Sequence, residues 1–70
     1  MSEIVLYHQD SCGQCKMAEI LLKKNNIDFI SCKDINTMKG LGIQHTPTLS
    51  VDGKLFTSLK EIDTWIKTRG

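Results

Sequence analysis

The first apolar run of the chain, Ile4-Val5-Leu6-Tyr7, is continuous and partly β-branched, so Glu3 to His8 read as a short buried strand. Gln9-Asp10-Ser11 breaks that pattern. From Gly13 to Asn26 the period becomes helical, with Met17, Ile20, Leu21 and the stem of Lys24 on one face. Lys16, Glu19 and Lys23 fall on the other, and Asn25-Asn26 ends the helix. Ile27 to Lys33 is a second strand candidate, and strand–helix–strand within about thirty residues predicts a parallel βαβ unit with a right-handed crossover. Asp34 can cap a short helix through Lys39, ended by Gly40 or Gly42. Thr48 to Val51 and Lys54 to Phe56 flank Asp52-Gly53, a two-residue hairpin signal. Ser58-Leu59-Lys60-Glu61 is a capping box opening a helix whose apolar face is Leu59, Ile62, Trp65 and Ile66. The order β-α-β-α-β-β-α predicts an α/β fold, a mixed four-stranded sheet flanked by helices.

With 70 residues, the expectation is a single domain over residues 1–70 and a lean core. Nine basic and eight acidic residues leave a net charge of +1, without the clustered basic face that nucleic acid requires. No apolar run approaches the roughly 20 residues of a membrane span, so no membrane partner is expected. Met1 to Tyr7 carries Glu3 where a signal peptide would carry positive charge. Three cysteines with one tight pair suit a reducing compartment better than a secreted disulfide framework. A cytoplasmic protein is the expectation.

That tight pair is Cys12-Gly13-Gln14-Cys15, with two sulfurs one helical turn apart at a helix start. Unpaired backbone N–H groups and the positive dipole end there favour a thiolate. Thiolate is the attacking species, and such a site lowers a cysteine's pKa below about 8.5. Cys12 is therefore the expected nucleophile of a redox-active dithiol, and Cys15 the resolving thiol. Gly13 keeps the approach to Cys12 open, and Lys16 could add positive charge. A CxxC alone also fits two structural cysteines, half of a zinc site, or a small copper(I) carrier with soft thiolate ligands. Carriers usually place Met where this chain has Asp10, and their plan, β-α-β-β-α-β, ends on a strand.

With the CGQC run and Gly42-Ile43-Gln44-His45-Thr46-Pro47-Thr48-Leu49 together, the chain resembles the thioredoxin–glutaredoxin superfamily in its minimal, glutaredoxin-sized form. The resemblance covers essentially the whole chain and implies a thioredoxin-like fold and a thiol–disulfide oxidoreductase that reduces protein disulfides. It implies a cis peptide at Thr46-Pro47, facing the dithiol, with the Thr46 backbone pairing with an incoming extended substrate. Gly13, Gln14, Thr46 and Pro47 are thus the expected substrate-binding residues beside catalytic Cys12 and Cys15. Neither a cofactor nor a metal is expected, and the expected state is a monomer.

The branch rests on smaller signs. Gln14 is similar to the third residue of glutaredoxin-like redoxins that reduce ribonucleotide reductase, which makes that enzyme one candidate partner. Ile43 to Leu49 is similar to the thioredoxin pattern. Ser11 and Leu6 stand where thioredoxins usually carry a Trp and a buried Asp, so proton transfer at the resolving thiol must use water or another group. Gln9 and Thr57-Ser58-Leu59 stand where glutaredoxins usually contact glutathione through Lys and Gly-Gly-Asp. Weak glutathione binding and a thioredoxin-reductase-like electron donor are expected, and an iron–sulfur role borrowing glutathione thiols is not.

Cys32 reads as a small buried hydrophobe, and Trp65 as core packing. His8 and His45 read as solvated strand-end and loop residues. Tyr7 could line the groove, and Lys23-Lys24 is a solvated helix face.

Overall fold

The computed structural model describes residues 3–10 and 12–69, so Ser11 lies outside the described residues. Its elements follow the order β1 (Ile4–Tyr7), α1 (Gly13–Lys24), β2 (Ile30–Cys32), α2 (Ile35–Gly40), β3 (Thr48–Val51), β4 (Lys54–Phe56) and α3 (Leu59–Thr68). The strands make one mixed sheet in the order β2-β1-β3-β4, with β1–β2 parallel and the other pairs antiparallel. This is a thioredoxin-like fold. Among the described residues, no helix is long and apolar enough to cross a membrane.

Sheet register decides which side chains meet the helices. Ile4 pairs with Val51 and Leu6 with Leu49, while Leu49 also pairs with Phe56. Paired residues share a face, and this face builds the core with Ala18 and Leu22 of α1 and Ile62 and Ile66 of α3. Trp65 is half-buried, its ring centroid 6.0 Å from that of Phe56. Asp52 and Gly53 both adopt positive φ, as a primed hairpin turn requires.

One expectation fails on α1. Met17 and Ile20, predicted to face the core, are 49% and 50% exposed. The buried residues are Cys15, Ala18 and Leu22, with Leu21 at the margin. Close approach of the helix to the sheet favours a small residue at the centre of contact, and Cys15 counts as a hydrophobe here.

β2 is shorter than predicted for a related reason. Asn26 takes a left-handed φ of 57°, and the Ile27 and Asn26 N–H groups donate to the Leu22 and Lys23 carbonyls. This is a Schellman stop, whose characteristic apolar contact here joins buried Ile27 and Leu22. Ile27 therefore closes α1 rather than opening β2. Gly42 and Ile43 stop α2 in the same way, donating to the Lys39 and Met38 carbonyls.

A candidate redox site at the start of the first helix

Cys12 is the N-cap of α1, in extended backbone conformation, and its Sγ accepts from the Cys15 N–H at 3.1 Å. The sulfur thus sits among the unpaired amides at the positive end of the helix. No acidic residue stands in the first turn to compete for that end. Cys12 and Cys15 are joined as a disulfide, with Cα atoms 5.2 Å apart. Their exposure differs sharply: Cys12 is half-buried, whereas Cys15 is 1% exposed. A reagent from outside therefore meets Cys12 first.

The Thr46–Pro47 peptide is cis, as the resemblance implied. The structure brings this loop against the dithiol, with the Thr46 hydroxyl donating toward Cys12 Sγ at 3.9 Å. The Thr46 carbonyl lies at the same distance, 3.9 Å, where it can accept from the Cys12 thiol after reduction. Thr48, fully buried, locks the loop through a 2.6 Å bond from its hydroxyl to the His45 carbonyl.

Two grooves reach neighbours of the pair, Thr46 in one and Gln14 in the other. One, of about 610 Å³, is lined by Gln9, Ile35, Met38, Ile43 and Thr46 among others. The second, of about 640 Å³, runs between the starts of α1 and α3, with Gln14, Leu21, Leu59 and Lys60 in its walls. Gly13 and Gln14 are exposed. A Cβ on Gly13 would touch nothing in the chain, so any need for glycine there comes from what docks. Lys16 is exposed as well.

The remaining titratable groups divide into placed and unplaced. His45 is exposed, as expected. Cys32 is a half-buried free thiol opposite Tyr7 in the β1–β2 register. Burial, then the Cys32 and Glu3 charges, push the Tyr7 hydroxyl above its ordinary value of 10.0. His8 departs from expectation: its side chain is 12% exposed, with Nε2 3.6 Å from Glu19 Oε1. That nitrogen is buried without a hydrogen-bond partner among the described residues. The strand alternation carried the signal, since His8 lies two residues beyond core Leu6 and so on its face. Glu19 is half-buried rather than solvated because Cys15, Ala18 and Leu22, not Met17 and Ile20, form the buried face of α1. Among the described residues, no cluster of three or more His, Cys, Asp and Glu side chains gathers as a metal site.

Comparisons with known proteins agree with this geometry. The chain superimposes on a mutant of the thioredoxin-like protein BC3987 with a TM-score of 0.76. That match has 24% identity and covers 93% of this chain and 92% of the other. A chain described as "C- Orthorombic NaGST1" gives a TM-score of 0.71 at 18% identity, covering 99% of this chain and 36% of that one. At those identities the likeness is one of fold. No curated protein matches in sequence. The family model for Glutaredoxin matches residues 4–56, from the start of β1 to the end of β4, including Cys12, Cys15 and Thr46-Pro47. The chain belongs to the glutaredoxin family, and that membership, with the Cys12–Cys15 pair, supports a redox thiol function.

Proposed function

We propose that this protein reduces disulfides in other proteins, with Cys12 as the attacking thiolate and Cys15 as the resolving thiol. One observation carries the reading. The two sulfurs differ in access, Cys12 being half-buried at the helix N-cap and Cys15 closed off beneath it. Cys12 attacks the substrate disulfide, forming a mixed disulfide and releasing one thiolate that takes up a proton. Cys15 gives up its proton and attacks Cys12 Sγ, releasing the second thiol and leaving the Cys12–Cys15 disulfide. Two electrons and two protons have then passed to the substrate.

The groove beside Thr46 suits an extended polypeptide, with apolar Ile35, Met38 and Ile43 between polar residues. Gln9 and Thr57-Ser58 supply neither cation nor glycine contacts for glutathione, which supports a flavin-dependent, thioredoxin-reductase-like donor. Family membership favours glutathione as the alternative donor. A turnover assay offering each donor separately decides between them, and turnover with glutathione alone overturns the reductase reading.

The thiol roles are tested by substitution. Cys12→Ser is expected to abolish disulfide reduction. Cys15→Ser is expected to retain the first attack and accumulate a mixed disulfide on Cys12, visible by mass spectrometry. An active Cys12→Ser variant would refute the assignment.

A further inference from the structure

Resolution requires a thiolate at Cys15, yet Cys15 is almost fully buried. Desolvation holds a thiol in its protonated form, so a buried resolving thiol needs a group to receive its proton. Position 6 of β1 holds Leu6, which cannot.

Glu19 follows Cys15 by one helical turn, and helical side chains lean toward the N-terminus, over the preceding turn. By that rule Glu19 leans toward the turn that carries Cys15. His8 approaches it from β1, on the Leu6 face, with Nε2 3.6 Å from Glu19 Oε1. That nitrogen has no hydrogen-bond partner among the described residues although it is buried. Buried polar groups rarely stay unpaired without a reason. Around the pair, Asp10 is tied to Lys33 at 2.9 Å. Lys16 and Lys23 are exposed along α1, while Lys60 and Asp63 line the groove on its other flank. The Cys32 carbonyl accepts the His8 backbone N–H at 3.0 Å, and its side chain lies on the opposite face with Tyr7. Glu19 and His8 are thus an ionisable pair one helical turn after the resolving thiol.

Resting on the dithiol reading above, we infer that Glu19 accepts the Cys15 proton during resolution, with His8, whose Nε2 lies 3.6 Å from the carboxylate, as a positioning residue. The proton leaves Cys15 Sγ for Glu19 as the Cys12–Cys15 bond forms and the Cys12–substrate bond breaks. It then passes to the departing thiolate, so the pair ends each cycle unchanged.

The test uses a symmetrical nitroaromatic disulfide that releases one coloured thiol at each step. With Glu19→Gln at neutral pH, the first thiol should appear at the parent rate. The second should appear on the order of 100-fold more slowly, the low end of general-base contributions. That deficit should shrink as pH rises, because hydroxide replaces the carboxylate. Glu19→Asp, which keeps the charge, should recover most of the rate, and His8→Asn should slow the second step alone. A Glu19→Gln protein that releases both thiols at parent rates would overturn the inference. So would equal slowing of both steps, or a second-step deficit that does not change with pH, either of which marks a merely structural pair. If Glu19→Gln loosens the fold, a pH-independent loss shared with Glu19→Asp overturns the inference as well. Absence of any first release from the parent protein would overturn the dithiol reading together with this one.

Discussion

The starts of α3 and α1 are closed by the same local device, an acceptor atom three residues before the amide that it caps. At α3 the acceptor is Ser58 Oγ, taking the Glu61 N–H at 3.2 Å. At α1 it is Cys12 Sγ, taking the Cys15 N–H at 3.1 Å. What differs is the charge placed alongside. Glu61 returns its carboxylate to the Thr57 N–H at 3.2 Å and to the Thr57 and Ser58 hydroxyls, so the positive end of α3 already holds a fixed anion. The bond reaches back to Thr57 rather than to the Ser58 N–H that a capping box would use. α1 has no acidic residue in its first turn, so its positive end is left to the sulfur. A neutral thiol is a weak acceptor and a thiolate a strong one, so this cap tightens as Cys12 ionises. One helix gives its N-terminus to a fixed anion, the other to a sulfur.

Substitution at Cys12 breaks the comparison hardest, because one atom there has two duties. In the reduced protein, Cys12→Ser and Cys12→Ala should both lose all disulfide reduction. Only Cys12→Ala should also lose a cap, costing about 1 kcal/mol in urea unfolding relative to Cys12→Ser. At α3 the two duties are separate from the outset. Ser58→Ala should cost about 0.5–2 kcal/mol of stability while leaving the alkylation rate of Cys12 unchanged.

Gln14→Glu sharpens the contrast by giving α1 the acid that α3 already has. An anion in the first turn is worth about 0.3–1 kcal/mol against the dipole. Cys12 ionisation, followed by thiolate absorbance, should move up by the corresponding few tenths of a pH unit, with a small gain in helix stability. A downward shift would mean that the dipole does not govern Cys12.

The smallest effect concerns α2. Asp34 accepts from the Thr37 hydroxyl at 2.8 Å and the Asn36 N–H at 3.0 Å, which together hold its carboxyl below the ordinary 3.8. A depressed carboxyl adds stability above its unfolded value, and that contribution is lost as pH falls through the folded value. Urea midpoints measured at about pH 5 and about pH 3 should therefore fall less for Asp34→Asn than for the parent.

These caps were also the most legible part of the sequence. β3, β4 and the start of α3 emerge where Asp52-Gly53 and Ser58…Glu61 predict them, because each signal lies within a few residues. The dithiol and Thr46-Pro47 were legible as motifs, and the structure adds that the Thr46 hydroxyl points at Cys12. The buried face of α1 was not legible. Apolar periodicity favoured Met17 and Ile20, whereas contact with the sheet selected Cys15, Ala18 and Leu22. Ile27 is ambiguous along the chain because a Schellman contact and a strand start both call for an apolar residue after a polar pair. The His8–Glu19 approach joins two elements across the core, and neither residue looks unusual along the chain.

Whether the N-cap position makes Cys12 the reactive thiolate is tested most directly by limited alkylation of the reduced protein across the pH range, with each modified cysteine identified by peptide mass. Modification should fall on Cys12, with a midpoint clearly below the free-thiol value of about 8.5. Preferential labelling of Cys15 or Cys32, or a Cys12 midpoint at or above about 8.5, would contradict it.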